Sequence, residues 1–149
     1  MKRLIVPCVM LLCCMFLVSG QVMALDAEYV RDNLPLEWEG TFTWYDETRP
    51  VQPVRLTLTE VTIDPDGNIF ALGDGEYDKD VLVEFSFKWS INPETLDFEM
   101  WEGEPKPSDK IVTDGSHVGE ISEALDEIEA VWTTTSTGEQ GDLYVEPKR

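Results

Sequence analysis

Val81-Leu82-Val83-Glu84-Phe85-Ser86-Phe87-Lys88-Trp89-Ser90-Ile91 places a large apolar side chain at every second position over eleven residues, with polar ones between them from Glu84 on. Side chains on an extended backbone point to opposite faces in turn. A strict period of two therefore predicts an antiparallel strand with one buried and one solvated face. Val81, Val83, Phe85, Phe87, Trp89 and Ile91 form the buried set, and Glu84, Ser86 and Lys88 the wet one.

The same period recurs on both sides of this stretch. Upstream, Trp38, Gly40, Phe42 and Trp44 share a face, and Val54, Leu56 and Leu58 share another. Asp64-Pro65-Asp66-Gly67-Asn68 is a turn sequence, because proline presets φ and glycine accepts a positive one. It leads into a third strand that ends near Tyr77. Downstream, Asn92-Pro93-Glu94 turns the chain, and Leu96, Phe98 and Met100 resume the alternation. Residues 102–109, with Pro105 and Pro107, read as a loop. Short strands are then expected at Ile111–Thr113, His117–Ile121, Ile128–Thr134 and Leu143–Val145. Tight connections and the lack of any parallel crossover predict an all-β, antiparallel up-and-down barrel of about eight strands, with a β-sandwich as the alternative. Closure removes the exposed edges that an open sheet would leave.

The start of the chain is a targeting segment by composition. Lys2 and Arg3 precede an apolar run from Leu4 to Val18, and Val22-Met23-Ala24 supplies small residues at a cleavage point. The run is short for a bilayer span, which needs about 20 residues. Residues 1–24 are thus expected to be a signal peptide, residues 25–36 a polar lead-in with a turn of helix at 27–32, and residues 37–149 one barrel domain. The expected location is periplasmic or extracellular, with no membrane insertion after cleavage. Cys8, Cys13 and Cys14 all fall in the leader. The exported part then has no thiol for a disulfide, a nucleophile or a metal site.

Every one of the 30 acidic residues follows residue 24, and the whole chain has a formal net charge of −19. Loss of Lys2 and Arg3 with the leader makes it more negative by two. Such a field repels phosphate backbones and anionic lipid headgroups, so nucleic acid is excluded as an expected partner. The partners left are a small molecule or another exported protein.

Few residues carry chemistry. His117 is the only histidine, beside Gly115 and Ser116 with no nucleophile signature around it, and it reads as a surface-loop residue. Glu84 and Glu99 sit on strands, where a glycosidase would place a carboxylate pair. Their phase, however, is opposite the apolar face. Asp64, Asp66 and Asn68 have calcium-loop spacing, but the sixth residue is Ile69 and the twelfth Gly75, where an EF-hand needs glycine and glutamate. Asp74, Glu76, Asp78 and Asp80 alternate and would project together, as weak candidates for a loosely held Ca2+ or as a self-repelling strand edge. No other cofactor is expected. Among the aromatic residues, Trp101, Tyr45 and Tyr144 fall out of phase with the core, and Trp101 is the one best suited to stack on a ligand.

The order of motifs resembles the calycin group of ligand-binding barrels, and within it the avidin type. Trp38-Glu39-Gly40 opens the domain, and Gly67-Asn68-Ile69 leads to Gly73-x-Gly75-x-Tyr77. Phe87-x-Trp89, Met100-Trp101-Glu102-Gly103 and the stretch 128–138 follow in the family's order. The likeness covers residues 37–146 and implies a barrel with Tyr77, Trp89, Trp101, Trp132 and Asp142 as the ligand-binding residues. The asparagine and serine with which that family holds biotin are not matched. Thr41-Phe42-Thr43-Trp44 stands in their place, and Lys79 replaces a further serine. The resemblance thus implies the barrel and not biotin.

The expected function is that of a non-enzymatic binding domain for a small apolar or sugar-like ligand. The alternatives are an envelope or extracellular interaction protein with a filled barrel, and a carboxylate-based hydrolase or isomerase.

Overall fold

A computed structural model describes residues 24–78, 80–109 and 111–149. The expected signal peptide and Lys79 lie outside the described residues, apart from Ala24. The chain forms one helix, α1 (Ala27–Asn33), then β1 (Glu37–Trp44), β2 (Gln52–Ile63), β3 (Ile69–Asp78), β4 (Leu82–Ile91), β5 (Asp97–Lys106), β6 (Gly115–Ile121), β7 (Ile128–Thr134) and β8 (Gln140–Pro147). Each strand pairs antiparallel with the next, and β1 pairs with β8 from Trp38↔Pro147 to Trp44↔Gly141, so the sheet closes on itself. Closure pairs every described strand on both sides, although β6 pairs only with Asp97–Met100 of β5.

Period-two alternation becomes an inside and an outside. Val83, Phe85, Phe87, Trp89 and Ile91 are buried along β4, while Glu84 and Lys88 are exposed. Val81 departs from the pattern: it precedes the strand and is 47% exposed. Inside, Trp89 meets Trp38 edge-on at 5.7 Å and Phe98 at 5.2 Å, and stacks on Phe87 at 5.3 Å. The rings of Phe85 and Phe87 fit because glycine faces each across the sheet, Gly75 opposite Phe85 and Gly73 opposite Phe87. A Cβ on either glycine would fall 2.3 Å from the facing ring.

The two ends of the barrel differ. One end carries α1 and the turns at 64–68, 92–96 and 122–127. Asp26 caps α1, accepting from the backbone N–H groups of Glu28 and Tyr29. Val30 of the helix and Leu34, its C-cap, are buried there, with Leu96 and Leu125. Those two leucines have φ of 64° and 56°, a left-handed backbone that costs about 1 kcal/mol or more each. Burial of a leucine side chain recovers about 2 kcal/mol, which offsets that cost. The opposite end carries the β1–β2, β3–β4, β5–β6 and β7–β8 connections, and among the described residues no helix covers it.

Three sequence expectations change. Residues 102–106 are strand, not loop: β5 runs on to Lys106, with a register shift against β4 and Glu104 at φ 48° absorbing the irregularity around Pro105. Ile111–Thr113 is not a strand but part of the β5–β6 connection. His117 is not on the surface; it lies within β6 and is 1% exposed.

Candidate functional site

The inward phase of β5 runs Phe98, Met100, Glu102. The extension of that strand therefore carries a carboxylate into the barrel beyond the last apolar residue. His117 pairs with Met100 across the β5–β6 ladder and so lies beside it. Its Nε2 is 3.0 Å from Glu102 Oε1, with the two side chains 1% and 4% exposed. Tyr77, inward on β3, donates its hydroxyl to the same Oε1. Burial first, then the charge of Glu102 and this hydrogen bond, hold the Tyr77 hydroxyl well above its ordinary pKa, so it stays a donor.

These three groups floor a cavity of about 270 Å3 at the end opposite α1. Phe42 and Trp44 of β1 and Trp132 of β7 form its aromatic wall, and Gln52 of β2 a polar one. The rings hold each other edge-to-face: Phe42 with Trp44 at 5.0 Å, Trp44 with Trp132 at 5.4 Å, Phe42 with Trp132 at 6.0 Å. Phe42 also lies 5.9 Å from the His117 ring. At the rim, the Arg49 guanidinium sits 4.3 Å over the Trp44 ring. It is ion-paired to Glu139 and, at 3.4 Å, to Asp46. The β1–β2 connection is thereby tied to the β7–β8 turn across the mouth.

The residues expected to bind ligand separate. Tyr77 and Trp132 line this cavity. Trp89 is fully buried in the packed middle of the barrel and does not. Trp101 faces outward from β5, 38% exposed, opposite Lys88. Asp142 also faces outward, accepting the Tyr45 hydroxyl at 2.8 Å. Asp74, Glu76, Asp78 and Asp80 stay on the outer side, with Glu76 3.5 Å from Arg55. Among the described residues no group of three or more His, Cys, Asp or Glu side chains converges as a metal site would.

Phe42, Trp44, Glu102 and His117 join the site although the sequence pattern alone does not mark them as ligand-binding. The signal for Glu102 was continuation of the Phe98–Met100 phase, which Pro105 and Pro107 masked. A wider concavity of about 790 Å3 lies along the outside of the barrel from Glu37 to Lys106. Its charged side chains reach solvent, with only some of them paired, as in Lys148–Glu37 at 2.9 Å, so it offers no desolvated charge.

Chemically, the mouth offers apolar walls, a few convergent polar atoms and one buried carboxylate with its partners. That is the composition of a binding pocket, on the small side. No protein-family model and no curated protein matches this chain.

Proposed function

We propose that this protein is an exported, non-enzymatic binding domain that holds a small apolar or sugar-like ligand in the mouth of its barrel. The observation that carries the reading is the hydrogen-bonded Tyr77–Glu102–His117 group, buried beneath three edge-to-face rings at the end opposite α1. Burying a carboxylate and an imidazole costs free energy unless each is well partnered, and a barrel that needed only a core would place apolar side chains there. The avidin-like order of motifs points the same way.

The hydrolase or isomerase reading is less well supported. Glu102 is partnered by a histidine and a tyrosine and not by the second carboxylate that glycoside hydrolysis uses. The interaction-protein reading draws on the packed middle of the barrel and on Trp101 and Val118 exposed on its outside.

Trp44 and Trp132 make the test direct. Tryptophan fluorescence of the pure protein should change saturably with a member of a panel of neutral monosaccharides and small ring hydrocarbons. Native mass spectrometry of protein from its own source should show the occupant. If neither class binds, the interaction reading replaces this one.

A further inference from the structure

Glu102 is only half satisfied. The Tyr77 hydroxyl and His117 Nε2 both approach one of its oxygens, Oε1. Among the described residues nothing donates to Oε2. Nor is Oε2 sealed off: the buried side-chain polar atoms left without a partner are Trp44 Nε1, Trp89 Nε1 and His117 Nδ1. Oε2 therefore keeps contact with open space, although the side chain as a whole is 4% exposed. The open space that Glu102 borders is the mouth cavity. Gln52 repeats the pattern: it is 8% exposed and lines the same cavity, and its amide is neither partnered by a described residue nor sealed. A buried carboxylate is costly unless its lone pairs are met. Here the protein meets one oxygen and leaves the other to the cavity.

The surroundings decide what should meet it. Phe42, Trp44 and Trp132 stand at 87° or 88° to one another and give the cavity apolar walls. Arg49 brings a positive charge to the rim, but Glu139 and Asp46 both pair with it. Three carboxylates thus stand against one guanidinium, so the mouth stays net negative whatever the charge on His117. The whole chain, at a formal −19, draws cations toward it.

We propose that the mouth selects a small primary ammonium, its apolar body against Phe42, Trp44 and Trp132 and its N–H donating to Glu102 Oε2. This rests on the binding reading above and narrows its apolar ligand to a cationic one. A hydrocarbon would leave Oε2 unmet. A neutral hydroxyl would meet it with one N–H-free, weaker bond, whereas a bond between two ionised groups is roughly twice as strong. A ligand carboxylate would add a fourth negative charge beside Glu102 and Glu139. A primary ammonium has a further N–H for the Gln52 carbonyl. The small cavity suits a one-ring ligand.

Four one-ring probes that differ in a single group test this at neutral pH: benzylammonium, benzyl alcohol, toluene and benzoate. Isothermal titration should show benzylammonium binding at least about tenfold more tightly than benzyl alcohol or toluene, the gain expected of one charge-assisted hydrogen bond, and benzoate not binding. In protein labelled with 15N, benzylammonium should move the indole N–H resonances of Trp44 and Trp132 and leave that of Trp101, on the outer face, in place. Glu102→Gln keeps the shape and removes the charge, and it should cut the ratio of benzylammonium to toluene affinity at least about tenfold. If that variant does not fold, the wild-type order of the four probes and the indole shifts decide. Benzyl alcohol, toluene or benzoate binding as tightly as benzylammonium would overturn the inference and leave the binding reading standing. So would a preference that survives Glu102→Gln, or shifts confined to Trp101. If none of the four binds, Oε2 meets only water and the inference falls; if neutral sugars also fail to bind, the binding reading falls with it.

Discussion

His117 Nε2 and Glu102 Oε1 lie 3.0 Å apart inside the barrel, with both side chains almost wholly removed from water. Removing Glu102 strips the buried His117 Nε2 and Tyr77 hydroxyl of their shared partner, and removing His117 leaves the buried carboxylate with Tyr77 alone; breaking such a buried pair typically costs about 3–5 kcal/mol. Glu102→Leu and His117→Leu should each destabilise by about that much. The double variant should cost far less than the two losses added, because its second substitution removes a group already orphaned. Urea denaturation of the four proteins checks this; additive losses would mean that the two side chains are not coupled.

Along β4 the inward and outward residues should differ sharply in energy. Phe87 is buried, stacks on Trp89 and fills the space that Gly73 leaves. Phe87→Ala should cost about 3–5 kcal/mol. Lys88, one residue on, is exposed, and Lys88→Ala should cost less than about 0.5 kcal/mol. Gly73→Ala should also be strongly destabilising, since the new methyl would meet the Phe87 ring. Equal losses at positions 87 and 88 in chemical denaturation would contradict the strand's orientation.

Charge sets the response to salt and acid. Self-repulsion in so acidic a domain should be screened by sodium chloride, which should raise Tm. Millimolar Ca2+ at constant ionic strength should add little beyond that. A saturable Ca2+ shift that Asp78→Asn abolishes would establish a metal site on β3. Acid acts through particular turns. Asp64 is held below the usual aspartate range by the Asn68 backbone N–H first, and Asp46 by the Thr48 hydroxyl first. Asp114 is held below it by Ser136 first. A depressed folded-state pKa gives stability that is present above the unfolded value, near 3.9, and is lost as pH falls through the folded value. Tm should therefore drop below about pH 4, and Asp64→Ala should make that drop shallower. An unchanged acid limb in the variant would remove Asp64 from the account.

The barrel was legible because period two is a backbone property. Wherever Trp38–Trp44 or Val83–Ile91 alternates, inside and outside follow without knowledge of neighbours. Closure followed from the number of strands and the shortness of the turns. The site was legible only in part, since it depends on which inward residues meet at one end. Tyr77 and Trp132 were reached through motif order. Glu102 was hidden because Pro105 and Pro107 read as a loop, whereas a bulge at Glu104 lets the strand continue past it. His117 was hidden because glycine and serine beside it suggest surface, whereas Gly115 and Gly119 instead give room to the backbone of β7. A Cβ there would fall 2.1 Å from Thr133 O and 1.9 Å from Glu129 O. An out-of-phase Trp101 was in turn a reliable sign of the outer face, and that face is away from the mouth.

Trp101 and Trp44 consequently make the decisive pair of substitutions for the binding reading. Trp101 stands on the outside of β5, across from Lys88, and supports no ring of the interior. Trp44 stands in the mouth, edge-on to Phe42 and Trp132 and beneath Arg49. Truncating Trp101 to alanine should leave mouth binding within about twofold and cost less than about 1 kcal/mol of stability, because the side chain is already partly in water. Truncating Trp44 should weaken binding by at least about tenfold, through loss of a stacking wall. It should also free Arg49 from the ring and loosen the tie to Glu139. Isothermal titration with the best-binding member of the panel, alongside urea denaturation, separates the two effects. Loss of binding in Trp101→Ala with Trp44→Ala unaffected would move the site to the outer face of the barrel.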